Sequence, residues 1–266
     1  MSHNTNERMF WFRGSTMALG GRIVSPVCEN IDAQAASVLP PTGGFAAASV
    51  GEFNYKNIIR FDRATSTVSG QKVEHGKNAI GETIKTGDTL VTVAIEGLNI
   101  LDVITADRVV ARMTSSHAID TSEPGAVPFG SYFENLRIGG IPIKLRPYRE
   151  LVCEGTYQAL TAPPHCANSF PFIDVNGMSK PLPAERDKVL MAPLFNVDRG
   201  RAAAVVGSTK SGVHGIRIPG FGTVYFGEYL ITRASRRLTM LRVELGCPIT
   251  GSIVCANVDT NGHWDP

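Results

Sequence analysis

Apolar side chains in this chain recur at every second position over short spans, and glycine, proline or small polar residues close each span, as expected for strands joined by tight turns. The clearest case is LVTVAIEGLNILDVITADRVVARMTSS at residues 90–116, where two alternating runs rich in β-branched residues flank a turn. An earlier stretch repeats it. Setting VGEFNYKNIIRFDRA (50–64) under IEGLNILDVITADRV (95–109) aligns Asn54 with Asn99, Ile59 with Ile104, Asp62 with Asp107 and Arg63 with Arg108, a constant offset of 45 residues. FENLRIGGIPI (133–143) echoes the entry half once more. The pattern predicts a β unit used twice, with Leu98, Ile100, Val103, Ile104 and Val109 in a core shared with Leu238, Leu241 and Val243 of a later run.

Around this centre, residues 15–25 read as a first strand with a bulge or close backbone approach at Gly20-Gly21, and SVLPPTGG (37–44) reads as a turn or crossing loop. Residues 70–87, polar and punctuated by glycine, read as an exposed hairpin tip or long loop; 213–258 read as a closing meander with a turn at 233–236. From 146 to 199 alternation fades, proline becomes dense, and two short helical patterns arise at 149–160 and 184–191. This stretch is expected to be an irregular, partly helical insertion that packs on the sheets without completing the core. Residues 1–266 are thus expected to form one all-β domain, an antiparallel β-sandwich-like fold with a duplicated β unit. The alternative fold is a β-solenoid in which the repeats stack as coils.

Composition narrows the function classes. The 27 glycines, 16 prolines and 19% charged residues suit short strands and turns. A net charge of +2 supplies no broad positive field, so nucleic acid is not expected as a partner. No run approaches the roughly 20 apolar residues of a membrane span. The opening MSHNTNERMFWFRG lacks the apolar core, about 7–15 residues, of a signal peptide, which points to the cytoplasm if residue 1 is the native start. Five cysteines at irregular spacing argue for buried thiols over a disulfide framework, although Cys247 and Cys255 flank a turn and are the one pair that strands could bring together.

No catalytic, cofactor or metal set converges in the sequence. Ser69 and Lys72 fit S-x-x-K and Lys85-Thr86-Gly87 fits K-T-G, but the serine of that motif opens a helix, which this glycine-rich stretch does not offer. GSTKSG (207–212) lacks phosphate-loop spacing, and Cys153, His165, Cys166 and His263 lack the spacing of a zinc knuckle. The repeated pairs Asp62-Arg63 and Asp107-Arg108 are structural candidates: neighbours on a strand face opposite ways, so each is expected to anchor a turn or the adjoining module. Arg233, Arg236, Arg237 and Arg242 form the densest basic cluster, with a solvated turn as its ordinary meaning. Phe10, Trp11 and Phe12 are the candidate interface, because three consecutive strand residues cannot all face one core.

The stretches SVLPPTGG, LVTVAIEGLNILDVITADRVVARMTSS, FENLRIGGIPI, RIPGFGTVYFGE (217–228) and LTMLRVELG (238–246) together resemble a group of uncharacterised bacterial proteins. More loosely, the chain looks like the β-rich bacterial surface domains of the choice-of-anchor type. That resemblance implies a β fold and a possible place at the cell surface, and it implies no catalytic residues. The expected function is a non-enzymatic structural or binding protein that works by self-association, as a homo-oligomer or filament, or by capture of a protein or glycan partner. The alternative is a hydrolase acting on glycans or esters between the β modules.

Overall fold

Phenylalanine at 10 and 12 and tryptophan at 11 must take opposite faces of a strand, and the register of that strand decides which face is inside. In the computed structural model, which describes residues 8–77, 81, 83–162, 172–173, 179–180, 189–197, 215–246 and 248–265, the phenylalanines go inside. In chain order the strands are β1 (Phe10–Ser25), β2 (Glu29–Gln34), β3 (Ser37–Val38), β4 (Gly44–Val50), β5 (Phe53–Tyr55), β6 (Ile59–Phe61), β7 (Arg63–Lys77), β8 (Thr83–Ile100) and β9 (Ile104–Ala118). The short β10 (Gly125–Val127), β11 (Tyr132–Glu134), β12 (Arg137–Ile138), β13 (Ile141–Pro142) and β14 (Leu145–Pro147) lead to two brief helices, α1 (Arg149–Cys153) and α2 (Tyr157–Thr161). After them come β15 (Phe172–Ile173), β16 (Ser179–Lys180), β17 (Leu190–Pro193), β18 (Phe195–Val197), β19 (Gly215–Ile218), β20 (Gly222–Ile231), β21 (Arg236–Leu245) and β22 (Thr250–Trp264).

Two large antiparallel sheets make the sandwich, and neither closes into a barrel. One runs β17-β20-β21-β22-β1-β2; the other is built on β4-β7-β8-β9, with β5-β6 beside the end of β8 and β10, β11 and β12 beside β9. Strands β1 and β22 lie over β7, β8 and β9. Every strand pairing among the described residues is antiparallel, which excludes the solenoid arrangement, whose coils would pair in parallel. Of the expected core residues, all are fully buried except Val103, which is half-buried against the cluster. Ser37 Oγ and Ser66 Oγ, both buried, bond at 2.7 Å between β3 and β7 and tie the layers with a satisfied polar contact.

The aligned repeat positions adopt the same turn. Lys56 and Asn57 have φ of 51° and 54°; Leu101 and Asp102, 45 residues on, have 52° and 54°. In each turn the leading asparagine does the same work. Asn54 Oδ1 accepts from Asn57 N at 2.9 Å and its Nδ2 donates to Asn57 Oδ1 at 2.9 Å, while Asn99 makes the same two bonds to Asp102 at 2.9 and 2.8 Å. Gly139-Gly140, also at positive φ, turns β12 into β13 in a loop one residue shorter. The three tips lie side by side, with Leu101 N donating to Ile58 O at 2.9 Å and Gly139 N to Val103 O at 2.7 Å. Replacing Asn99 by Ala removes both side-chain bonds of the central tip and is expected to cost about 1–2 kcal/mol, read as a lowered urea midpoint.

Two expectations need correction. Of the two readings for 70–87 the exposed hairpin holds and the long loop does not: 70–77 and 83–87 continue β7 and β8 as an antiparallel pair, and Gly70 and Gly87, which look like breakers, make room for aromatic rings. A Cβ on Gly70 would fall 2.6 Å from the Phe12 ring, and one on Gly87 only 2.3 Å from the Phe10 ring. The stretch 146–199 is also more than a cover. Its strand β17 pairs with β20 at the sheet edge, and Leu151, Tyr157, Leu160, Leu190, Leu194 and Phe195 join the main core. Of its helical patterns, 149–160 becomes α1 and α2, separated at Gly155; the second ends in strand β17, and its residues 184–188 lie outside the described set.

Candidate binding groove

At one end of the β7-β8-β9 sheet the outward positions carry mostly small polar side chains, among them Ser69, Gln71, Asp88, Thr114 and Ser116, around the apolar Leu90. Register aligns two cross-strand rows there. One runs Phe45, Ser69, Leu90, Thr114 and Val127 from β4 to β10; the other runs Gln71, Asp88, Ser116 and Gly125 from β7 to β10. Together with Cys153 and Gly155 these residues line a groove of about 830 Å³. Phe45 stands at its rim, 67% exposed. Asp88 Oδ1 accepts a 2.7 Å bond from Ser116 Oγ. Among the described lining residues Asp88 is the one carboxylate, and none is His, Lys or Arg.

The wall at β10 is pinned from behind by side chains that cross the sandwich. Ala126 N donates to Gly155 O at 2.8 Å, which fixes β10 to the turn between the helices. From β20, Tyr229 Oη donates to Ala126 O at 3.1 Å; from β21, Arg236 donates to Gly155 O at 3.4 Å and to Ser235 O at 3.2 Å. Arg236 has no exposed surface, and its Nε has no partner, as is also true of buried Glu123 Oε2 nearby. Burial lowers the Arg236 pKa, partly offset by Tyr229 and Glu123, and burial pushes the Tyr229 phenol up to about 12. Burying such groups costs free energy that their bonds offset only in part, and the bonds they do make tie β10 and the turn between the helices to the opposite sheet.

The sequence-derived candidates fall elsewhere. Phe10 and Phe12 are core residues: Phe10 packs on Phe12, Trp264 and His117 at ring separations of 4.7, 5.0 and 6.0 Å. Only Trp11 reaches the surface, 36% exposed, and its indole N–H donates to Asp265 Oδ1. It lines a second hollow of about 550 Å³ with Arg13, Ser15, Val38, Asn261 and His263.

Asp62 and Asp107 each brace the next hairpin. Asp62 lies against Gly97, whose φ is +66° and where a Cβ would come within 2.1 Å of Oδ2; Asp107 Oδ2 accepts from Asn135 Nδ2 at 2.6 Å, and Asn135 has φ +48°. Arg63 pairs in register with Glu96, and Arg108 lies 3.8 Å from the same glutamate.

Ser69 and Lys72, three apart on a strand, point to opposite faces: Ser69 opens on the groove, whereas Lys72 Nζ lies 6.0 Å from the Trp264 ring. Only Arg233, exposed in the bend before β21, fits the expected solvated turn; the rest of the basic cluster is bound into the sheet. Arg236 is buried, Arg237 pairs with Asp259 at 3.3 Å, and Arg242 makes a two-pronged 2.7 Å contact with Glu228, bonds Glu244 and stacks 3.8 Å over Tyr225. For Arg242 burial opposes the charge, but the bonds to Glu228 and the charges of Glu228 and Glu244 outweigh it and raise the pKa. Cys255 is a buried free thiol; its possible partner Cys247, and His165, Cys166 and 207–212, lie outside the described residues.

No sequence motif announced the groove. Its residues span Phe45 to Gly155 and meet only through strand pairing, although period-two hydroxyls in β7–β9 are visible in hindsight.

Comparison with known proteins gives a family without a function. Residues 10–171 match the family described as a domain of unknown function, DUF8256, and the chain belongs to that family. No curated protein and no solved structure matches. Among the described residues no helix is long and apolar enough to cross a membrane.

Proposed function

We propose that this protein is a non-enzymatic binding module that captures a partner in the groove on the outer face of the β7-β8-β9 sheet. The observation that carries this reading is a preformed groove of about 830 Å³, floored by side chains on central strands and walled by a segment held by a buried arginine and tyrosine. Ligand sites are typically concave, largely preformed and furnished with a few fixed polar groups. A hydrolase needs a carboxylate pair, or a nucleophile with a base in reach; the described lining has one carboxylate, Asp88, bonded to the Ser116 hydroxyl at 2.7 Å, and no histidine, lysine or second carboxylate beside it, so a hydrolase here would rest on that pair. Self-association, the other form of the reading, loses two of its three aromatic anchors to the core. A place at the cell surface, as a resemblance to choice-of-anchor domains would imply, suits the same reading, since it would set the groove before an outside partner.

A fragment screen by saturation-transfer NMR on the whole chain tests it. Hits are expected that vanish in Thr114→Trp, which fills the groove from an outward position without touching the core. A screen whose hits all survive that substitution would place binding elsewhere. Steady turnover of nitrophenyl esters or glycosides, lost in Asp88→Ala, would overturn the non-enzymatic reading.

A further inference from the structure

We infer that the occupant of the groove is an uncharged glycan segment lying across the strands; this rests on the groove being the binding site. The polar side chains at outward positions of the groove are the hydroxyls of Ser69, Thr114 and Ser116, the amide of Gln71 and the carboxylate of Asp88, with the Cys153 thiol at one wall. Hydroxyls and an amide both donate and accept, and a carboxylate oxygen accepts, which matches an uncharged ligand whose polar groups are mostly hydroxyls. A phosphate or sulfated ligand wants cations, and the described lining contains none.

The apolar side chains of the lining are Phe45, Leu90 and Val127, and the exposed Phe45 ring offers a flat apolar face to the C–H face of a sugar. The shape agrees. The row from Phe45 to Val127 crosses five strands, and at the usual strand spacing it is about 19 Å long, with a step close to the length of one sugar unit and its linkage.

An extended peptide fits less well. Strands β7, β8 and β9 are hydrogen-bonded on both sides, so the floor has no free backbone edge for strand addition. The buried Arg236 and Tyr229 behind β10 act as positioning residues, since they hold the wall that bears Val127 without reaching the ligand themselves.

The test is calorimetric titration of the full chain with cellohexaose, xylohexaose, mannohexaose and the hexamer of N-acetylglucosamine, beside a sulfated hexasaccharide and an extended neutral peptide. At least one neutral hexasaccharide is expected to bind, more tightly than its trimer, with affinity falling tenfold or more in Asp88→Ala and in Phe45→Ala. Both positions are on the outer face, so the variants should keep the wild-type circular-dichroism spectrum and melting point; Phe45→Tyr should restore binding if the ring is what matters. No binding by any neutral hexasaccharide, binding untouched in both Ala variants, or preference for the sulfated sugar or the peptide overturns the inference. If fragment hits are still lost in Thr114→Trp under those outcomes, the groove remains the site and only its ligand class is wrong.

Discussion

Replacing Phe10 by Ala is expected to destabilise the protein by about 3–5 kcal/mol, the usual cost of emptying a buried aromatic site and much of the stability of an ordinary domain. Phe10 is 1% exposed, and the position was built around its ring. A Cβ on Gly87 in one sheet would come within 2.3 Å of that ring, and one on Gly262 in the other within 2.2 Å. Few neighbours could relax into the space, because the two glycines have no side chains to move and Trp264 is held by its indole bond to His117 O at 2.9 Å.

The converse substitution, Gly87→Ala, overpacks the same site, and its cost should shrink when Phe10 is Leu, as expected of residues in contact. Urea unfolding of Phe10→Ala, Gly87→Ala and the Phe10→Leu background with and without Gly87→Ala measures both effects. An unchanged midpoint for Phe10→Ala, accompanied by loss of an oligomer in light scattering, would instead make Phe10 an interface residue.

That experiment bears on how much of this molecule its sequence discloses. Alternation was enough to find the long strands, the bulge near Gly20-Gly21 and nearly all the expected core, because those features depend on local spacing. Proline placed the turn at 40–43, where Gly43 N donates to Pro40 O at 2.9 Å. Alternation also showed that Trp11 must oppose Phe10 and Phe12. It could not show which side was inside, since that follows from the register of β1 against β22, strands far apart in the chain.

For Arg236 the signal was present. It shares parity with the buried Leu238 on the same strand, but its arginine neighbours made the run look like a solvated turn. The groove is the least legible feature. Serine and threonine facing out of a sheet are ordinary, and only pairing across five strands, together with the wall behind β10, makes these particular hydroxyls a concave surface.

Alkaline conditions should weaken the fold well before arginine loses its charge, by roughly 4 kcal/mol through Cys255 and roughly 3 kcal/mol through Tyr229 once the pH reaches about 12. Both groups are completely buried acids whose neutral forms the fold protects, so burial pushes the Cys255 thiol and the Tyr229 phenol each up to about 12 from ordinary values of 9.0 and 10.0. The sign follows from proton counting. Above pH 9 the unfolded chain releases the thiol proton while the folded chain keeps it, and above pH 10 the same holds for the phenol. The unfolded state then binds fewer protons, so stability falls as pH rises through 9 to 12 and is unaffected by these groups below that window.

Urea unfolding at several points from pH 8 to 11, on the wild type and on Cys255→Ala, separates the two contributions. Cys255→Ala should start less stable at pH 8, since it empties buried space, yet lose stability less steeply between pH 9 and 10, where only the thiol contributes. Tyr229→Phe should flatten the curve above pH 10 and should also loosen the groove wall, because the bond to Ala126 O goes with the phenol. Parallel pH profiles for the wild type and Cys255→Ala would mean that the folded thiol titrates as it does in the unfolded chain and that burial does not protect it.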